Sequence, residues 1–161
     1  MGERERISGP ARVLDARTLE FADGTRIRLA IVAPELDQMA MIGDSLYPCG
    51  KEAADFLRKV VGDRLVSCFH NPDTINGPWV GYVGDTNLEH ALIINGWALA
   101  DHSSTQAAEI IARENHRGLW RGRFINPDKW RNGERLPEET AAAQLNKPGA
   151  QNPNRAETKR D

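Results

Sequence analysis

The chain has 161 residues, a formal net charge of −2 and a pI of about 6.1, with 40% apolar and 27% charged residues. This length supports one domain with its own hydrophobic core, and the composition is that of a soluble globular protein. The slightly acidic balance excludes a chain saturated in nucleic-acid-binding charge. No apolar run approaches the roughly 20 residues that a membrane-spanning helix needs, so we expect no membrane segment.

The first ten residues, MGERERISGP, are charged and lack an apolar core segment. The sequence as given therefore has no signal peptide, and we expect a cytoplasmic protein. A periplasmic or secreted location would follow if a signal peptide was removed. Two cysteines, Cys49 and Cys68, lack CxxC spacing, and the histidines are scattered, so we expect a structural thiol pair rather than a metal site.

Two strands are predicted first along the chain, at about 11–21 and 25–32. Both segments alternate in polarity and are rich in β-branched and aliphatic residues, and an Asp23-Gly24 pair separates them. Asp-Gly between two such runs is a strong hairpin signal. Residues 36–48 show no clear period, so a loop is predicted there.

A helix is predicted from Cys49 to Gly62, because apolar residues recur in it at helical spacing. Strands follow at 65–70 and 79–83, with a turn-rich loop between them at 71–78. A short helix from Leu88 ends at Asn95-Gly96, which is a typical C-terminal stop.

The last predicted core elements are a short extended segment at 97–100 and a helix capped by Ser103 or Ser104 that ends at Gly118. Leu119 and Trp120 are expected to return to the core. The apolar face of this helix is predicted to carry Ala107, Ile110 and Ile111.

These elements predict an α+β fold, mostly β: a five-stranded OB-type Greek-key barrel with about three helices. The expected domain organisation is a flexible N-terminus at 1–6, the barrel domain at 7–121, a C-terminal arm packed on it at 122–137, and a disordered tail at 138–161. The tail has no aromatic residue and one leucine, so it should not bury enough apolar surface to offset the entropy of ordering.

Six segments along the chain resemble the staphylococcal-nuclease-like (thermonuclease) family, in particular a bacterial subgroup with a Cys-Gly at the first helix. They run in order over about residues 7–135: ISGPARVLDARTLEF, RIRLAIVAPELDQ, YPCGKEAADFL, LVSC, NLEHALIINGWALAD and EIIARENHRGLWRGRF. The resemblance implies the OB barrel. It also implies hydrolysis of DNA and RNA phosphodiesters in active members, by Ca²⁺ on two aspartates, a glutamate that positions water, and two arginines that stabilise the transition state.

Both metal-binding aspartates of this family are replaced here. The family's Asp-Gly-Asp-Thr corresponds to Asp15-Ala16-Arg17-Thr18, so the liganding aspartate is Arg17. The family's Gly-Ile-Asp-Ala-Pro-Glu corresponds to residues 31–35, and its aspartate is Val32. The resemblance therefore implies a degenerate site without a metal.

Of the remaining catalytic positions, Glu35 is retained and the first arginine corresponds to Arg28, with Arg26 as the alternative. The second arginine belongs to a Tyr-Gly-Arg element and falls at Pro78. No catalytic set is intact, and Glu35 and Arg28 are interpreted as vestigial.

Arg17, Arg28, Glu35 and Asp15 are the candidates for binding a ligand or a phosphate group. If Asp15 and Arg17 project from the same face of one strand, Arg17 could fill the vacated cation site and pair with Glu35 or Asp15. An anion site and an internal ion pair with Glu35 remain open alternatives.

The C-terminal region is locally basic and contains interleaved aromatic residues, Trp120, Phe124 and Trp130. This pattern fits a stacking surface for single-stranded nucleic acid. It fits equally an arm that its aromatic residues hold against the barrel, which is the interpretation favoured here.

The resulting hypothesis is a catalytically inactive nuclease-like OB-fold module, without a cofactor, that binds nucleic acid or a protein partner. One alternative is a metal-dependent phosphodiesterase, an endonuclease or exonuclease on DNA or RNA, that holds Ca²⁺ with other ligands such as Asp15, Asp37 and Glu35. A second alternative is an accessory subunit of a larger assembly.

Overall fold

The computed structural model describes residues 5–70 and 77–146, and within them the chain is α+β. None of the described helices is long and apolar enough to cross a membrane. The strands are β1 (Glu5–Gly9), β2 (Ala11–Val13), β3 (Thr18–Phe21), β4 (Arg26–Arg28), β5 (Ile31–Val32), β6 (Ala40–Ile42), β7 (Ser45–Tyr47), β8 (Val66–His70), β9 (Val80–Val83), β10 (Thr86–Asn87) and β11 (Leu99–Ala100). The helices are α1 (Cys49–Val61), α2 (Leu88–Ile94), α3 (Gln106–Glu114), α4 (Pro127–Arg131) and α5 (Pro137–Asn146), with 3₁₀ turns at Ser103–Thr105 and Gly118–Arg121.

The described strands form antiparallel groups of different sizes. The largest sheet has the order β1-β8-β9-β10, and a second has the order β2-β3-β4. The two-stranded pairs are β5 with β11 and β6 with β7. Single bridges, from Leu29 to Trp79 and from Met41 to Arg123, link these groups. Within residues 5–70 and 77–146, these pairings do not close into a barrel.

The main hydrophobic core lies between the sheets and the buried faces of α1 and α2. Leu19 and Ile27 enter it from the β2-β3-β4 sheet, Leu57 from α1 and Leu92 from α2, and all four are nearly or fully buried. Each such side chain stabilises the fold by roughly 1.5–3 kcal/mol relative to an exposed one. A smaller cluster contains Ala40, Tyr47, Cys49 and Leu119.

The most local sequence signals are confirmed. Asp23-Gly24 forms the turn between β3 and β4, where the Phe21 amide donates to the Thr25 carbonyl. Helix α1 begins at Cys49 and ends at Val61, and Gly62 follows with a positive φ of 54°. The Asn87 side chain caps α2 by accepting a hydrogen bond from the His90 amide.

The strand predicted at 11–21 is wrong in its middle, because the chain turns between β2 and β3 at residues 14–17. The Asp15 carboxylate accepts the Arg17 backbone N–H at 2.9 Å, and the Leu14 amide donates to the Thr18 carbonyl. Asp commonly stabilises such turns by bonding the backbone two residues ahead. Asp15 and Arg17 therefore lie in a turn, and the assumption that they share a strand face is corrected.

The segment predicted as a loop at 36–48 contains the β6-β7 hairpin. Gly43 and Asp44 form its two-residue turn, and Gly43 has a φ of 57°. Gly-Asp between short apolar runs is a hairpin signal that the absence of a longer period concealed.

The last core helix also differs from its prediction. Helix α3 ends at Glu114, four residues before Gly118, and it buries Ala108 and Ala112. Ile110 and Ile111 are 49% and 41% exposed, so the predicted apolar face is wrong. Leu119, by contrast, returns to the core as expected, with 1% of its surface exposed.

The predicted limits of the flexible ends are corrected where the structure describes them. Glu5 and Arg6 belong to β1 and pair with β8. Residues 137–146 form helix α5, which begins with a proline and carries two glutamates in its first turn, as helix N-termini favour. The rest of the predicted tail, 147–161, lies outside the described residues, as do residues 1–4 and 71–76.

Two glycines bring the end of α2 against the turn at Gly118–Arg121. The Leu119 amide donates to the Gly96 carbonyl at 2.8 Å. A Cβ on Gly118 would lie 2.5 Å from that carbonyl oxygen, and Gly118 has a φ of 55°. Only glycine fits both the backbone conformation and the available space at this crossing.

We expect Gly118→Ala to lower the free energy of unfolding far more than Gly84→Ala. Gly84 has a similar φ of 58° but open space around it. Both alanines lose about 1–2 kcal/mol to the left-handed conformation, and overlap with backbone at Gly118 adds roughly 1–3 kcal/mol. Urea denaturation measures both, and equal losses would show that the close crossing does not constrain the fold.

Candidate functional site

The turn between β2 and β3 places Arg17 next to the end of β4. Thr18 pairs with Arg28 in the antiparallel register, and the Arg17 carbonyl accepts the Leu29 amide at 2.8 Å. Because these backbone bonds fix both segments, Arg17 and Arg28 come from adjoining positions of one sheet. The Arg17 side chain is half-buried and the Arg28 side chain is exposed.

The turn after β5 carries Glu35 and is held by the start of α1. The Gly50 amide donates to the Gln38 carbonyl at 3.1 Å. A Cβ on Gly50 would overlap the Glu35 carbonyl, so only glycine lets α1 approach the turn this closely. The Cys-Gly pair that begins α1 thus serves to seat Glu35.

Arg131 on α4 supplies the partner of Glu35. Its Nε donates to Glu35 Oε1 at 2.5 Å, its Nη1 donates to Asp128 Oδ1 at 2.9 Å, and its Nη2 donates to the Ala33 carbonyl. The guanidinium is 20% exposed and the Glu35 side chain is 32% exposed. The arm therefore brings a third arginine to the site and uses its planar fork on several oxygen acceptors at once.

Buried hydrogen bonds hold the arm in this position. Trp130 Nε1 donates to Glu139 Oε2 at 2.9 Å, and the same oxygen accepts the Met39 amide at 3.2 Å. Gln38, which is fully buried, donates to the Ile125 carbonyl at 2.7 Å. Since Trp130 precedes Arg131, these contacts also fix the arginine.

The aromatic residues of the C-terminal region pack within the protein. Trp130 is 9% exposed, and the Arg135 guanidinium lies 3.6 Å from its ring centroid. Trp120 and Phe124 are half-buried and meet edge to face. This arrangement supports the interpretation of these aromatic residues as the contacts of a packed arm.

Arg17, Arg28 and Arg131 are called the arginine cluster from here on. Burial lowers the pKa of Arg17 most, the positive charges of Arg131 and Arg28 lower it further, and Glu35 and Asp15 act in the opposite direction. Three positive and two negative groups thus interact at this site, which leaves one net positive charge. Among the described residues, the guanidinium groups of Arg17 and Arg28 form no hydrogen bond or ion pair.

The structure brings the predicted candidates together but with different partners. Glu35 pairs with Arg131, so the expected internal pair between Arg17 and Glu35 is corrected. The Asp15 carboxylate bonds the backbone of its own turn. Arg131 was not among the predicted site residues. The basic arm was the only sequence signal for it, because its partner Glu35 lies 96 residues away.

The positions of the two replaced functional groups are also defined. Val32 pairs with Leu99 between β5 and β11 and is 9% exposed. Pro78 lies on the surface just before β9. Among the described residues, no group of three or more His, Cys, Asp or Glu side chains could hold a metal ion, so Asp15, Asp37 and Glu35 do not form such a group.

The two cysteines do not form the expected thiol pair. Both are buried and free, Cys68 in the main core and Cys49 in the smaller cluster. The Cys49 thiol donates to the Gln38 carbonyl at 3.3 Å. Burial raises the pKa of each thiol to about 12, which leaves both protonated and unreactive near neutral pH.

No protein-family model matches the chain, and no curated protein matches it significantly. The chemical character of the site is therefore that of its own side chains. These provide fixed guanidinium donors, one internally neutralised glutamate and a net positive charge, which is an arrangement suited to anions.

We expect Arg131→Met to lower the free energy of unfolding by about 1–3 kcal/mol, because Glu35 and the Ala33 carbonyl lose a charged donor. Arg123→Met is the matched control from the same arm, since Arg123 pairs with Glu138 on the exposed surface. An exposed pair contributes little, so this control should unfold near the wild-type urea concentration. Equal midpoints for all three proteins would contradict a structural role of Arg131.

Proposed function

We propose that the protein is a catalytically inactive staphylococcal-nuclease-like module that binds phosphate groups of nucleic acid through its arginine cluster. The observation that carries this proposal is the convergence of Arg17, Arg28 and Arg131 with a net positive charge. Two of these guanidinium groups have no partner among the described residues. The resemblance of the sequence to the nuclease-like family supports nucleic acid over protein as the partner.

A phosphate group fits the cluster on chemical grounds. Guanidinium donates hydrogen bonds in a planar fork that matches two phosphate oxygens. Arg17 is half-buried among like charges, which is unfavourable until an anion enters. A bound phosphate would relieve that repulsion and satisfy the donors of Arg17 and Arg28.

Hydrolysis is not expected from the same site. Arg17 and Val32 stand at the two aspartate positions that the family resemblance implies, and Pro78 stands at one arginine position. The absence of each electrostatic contribution of this kind costs about 10²–10³ in rate. Glu35, the remaining catalytic position, is engaged by Arg131 and has no metal-bound water to act on.

The finer architecture in this proposal is a five-stranded OB-type barrel. The pairing of β5 with β11 and the Leu29–Trp79 bridge support it, since they connect the β2-β3-β4 sheet to other parts of the chain. We also place the protein in the cytoplasm, where the buried thiols Cys49 and Cys68 would stay reduced.

We expect the double variant Arg17→Gln, Arg28→Gln to bind single-stranded DNA more weakly and with less salt dependence than the wild type. The slope of log affinity against log salt should fall by about 1.4, because each phosphate group that the variant no longer neutralises lowers it by about 0.7. Fluorescence anisotropy of a labelled 20-nucleotide strand at several salt concentrations measures both quantities.

Arg64→Gln is the control for this measurement, because Arg64 is exposed and its guanidinium bonds only the Val60 carbonyl. It should retain the wild-type slope. A double variant that keeps the wild-type affinity and slope would overturn the assignment of the arginine cluster. Salt-independent binding, or none, would redirect the search to a protein partner.

We also expect no cleavage of denatured DNA by the wild-type protein with Ca²⁺ or Mg²⁺, measured by gel electrophoresis over hours. The Glu35→Gln variant provides the comparison, because it removes the last carboxylate of the family's catalytic set. Metal-dependent cleavage by the wild type that Glu35→Gln abolishes would establish the phosphodiesterase alternative instead.

A further inference from the structure

A second candidate site lies in a cavity of about 380 Å³ formed by β9, the start of α2 and the segment before α3. Ala30, Val80 and Glu89 form its buried or half-buried wall, and His90, His102 and Ser104 are exposed at its edge. The complete lining is Ala30, Val80, Asn87, Glu89, His90, His102, Ser104 and Thr105. It contains no lysine or arginine and shares no residue with the arginine cluster.

Glu89 is the unusual member of this lining. It is 3% exposed, and its Oε1 accepts the Gly81 amide at 2.9 Å. Its second oxygen, Oε2, has no hydrogen-bond partner among the described residues. A buried carboxylate without a countercharge is costly, and a group that donates hydrogen bonds and carries positive charge would remove that cost.

The ionisable groups that face Glu89 do not supply that charge. His90 follows it on α2, His102 precedes α3, and the Cys68 thiol on β8 interacts with it electrostatically. Burial raises the pKa of Glu89 to about 7, although backbone amides of Glu89, Gly81 and Ala30 oppose the shift. Glu89 therefore changes its charge near neutral pH.

We propose that this cavity binds a small organic cation, a primary ammonium or guanidinium group on a short apolar stem, with the Glu89 carboxylate as its counter-ion. The cation donates to Glu89 Oε2, while Ala30 and Val80 contact the stem. Ser104, Thr105 and Asn87 add neutral hydrogen-bonding groups around it. Binding here is independent of the arginine cluster, because the charge of the ligand is opposite.

The test is an NMR titration of the ¹⁵N-labelled full chain with n-propylguanidinium and, separately, with n-butylammonium. Saturable shifts are expected at the amides of Ala30, Gly81 and Glu89, with a dissociation constant in the millimolar range, as roughly 5–7 ligand atoms allow. Neutral 1-butanol should produce no saturable shift there, because it lacks the charge.

Two variants separate the role of Glu89 from a general effect of charge. Glu89→Gln keeps an oxygen for the Gly81 amide but removes the charge, and should weaken cation binding at least tenfold. Glu109→Gln is the matched control. Glu109 also accepts a backbone amide, from Ala100, but already has Arg113 as its partner. It should bind as the wild type does.

The pH dependence gives an independent readout. Ionised Glu89 binds the cation and the protonated form does not, so affinity should rise about tenfold per pH unit below the pKa and level off above about 7. Protonation of His90 and His102 acts in the same direction, and that part alone should persist in Glu89→Gln. Equal affinity of the wild type and Glu89→Gln, equal binding of 1-butanol, or no saturation would overturn the assignment.

Discussion

The contact between Arg131 and Glu35 determines how the rest of the site is arranged. It joins the turn after β5 to α4, two segments that share no secondary structure, and one guanidinium meets acceptors from both. An ion pair of this partial exposure adds little stability in isolation. Its directional hydrogen bonds to the Ala33 carbonyl and to Glu35, however, allow only one position of α4 on the domain. The buried contacts of Glu139 with Trp130 and Met39 then reinforce that position from the other side.

The same contact sets the charge of the site. With Glu35 neutralised by Arg131, the positive charges of Arg17 and Arg28 face solvent with only Asp15 to balance them, and Asp15 is occupied by its own turn. A site that retained a free glutamate would repel phosphate oxygens. The arm therefore changes the carboxylate from a group that opposes anions into one that positions a further guanidinium. Specific binding of an anion follows from this exchange of partners, with no further change in the fold.

The sequence allowed the local parts of this structure to be predicted. The Asp23-Gly24 turn, the end of α1 at Gly62 and the Asn87 cap of α2 depend on residues within a few positions of each other. The pairing of Glu35 with Arg131 spans 96 residues, and no local pattern could have indicated it. Helix α5 was missed for a different reason. Composition suggested disorder, whereas the buried Glu139 stabilises the helix through partners in distant segments. Arg17 was assigned to a strand because alternation of polar and apolar residues continues through a turn that only the Asp15 side chain stabilises.

A comparison between a tethered guanidinium and a bound dication explains why this site can keep its form without chemistry. Both cations satisfy oxygen acceptors, here the Glu35 carboxylate and the Ala33 carbonyl, and either could hold the turn in place. A guanidinium, however, carries a single delocalised charge and has no open coordination position for water, so it cannot generate a hydroxide nucleophile. Arg131 is also covalently attached, so the turn does not depend on the concentration of a free ion. The family resemblance implies a metal at this end of the domain. In this chain, α4 provides a permanent cation that preserves the geometry, and the positive charge that remains is available for a phosphate group.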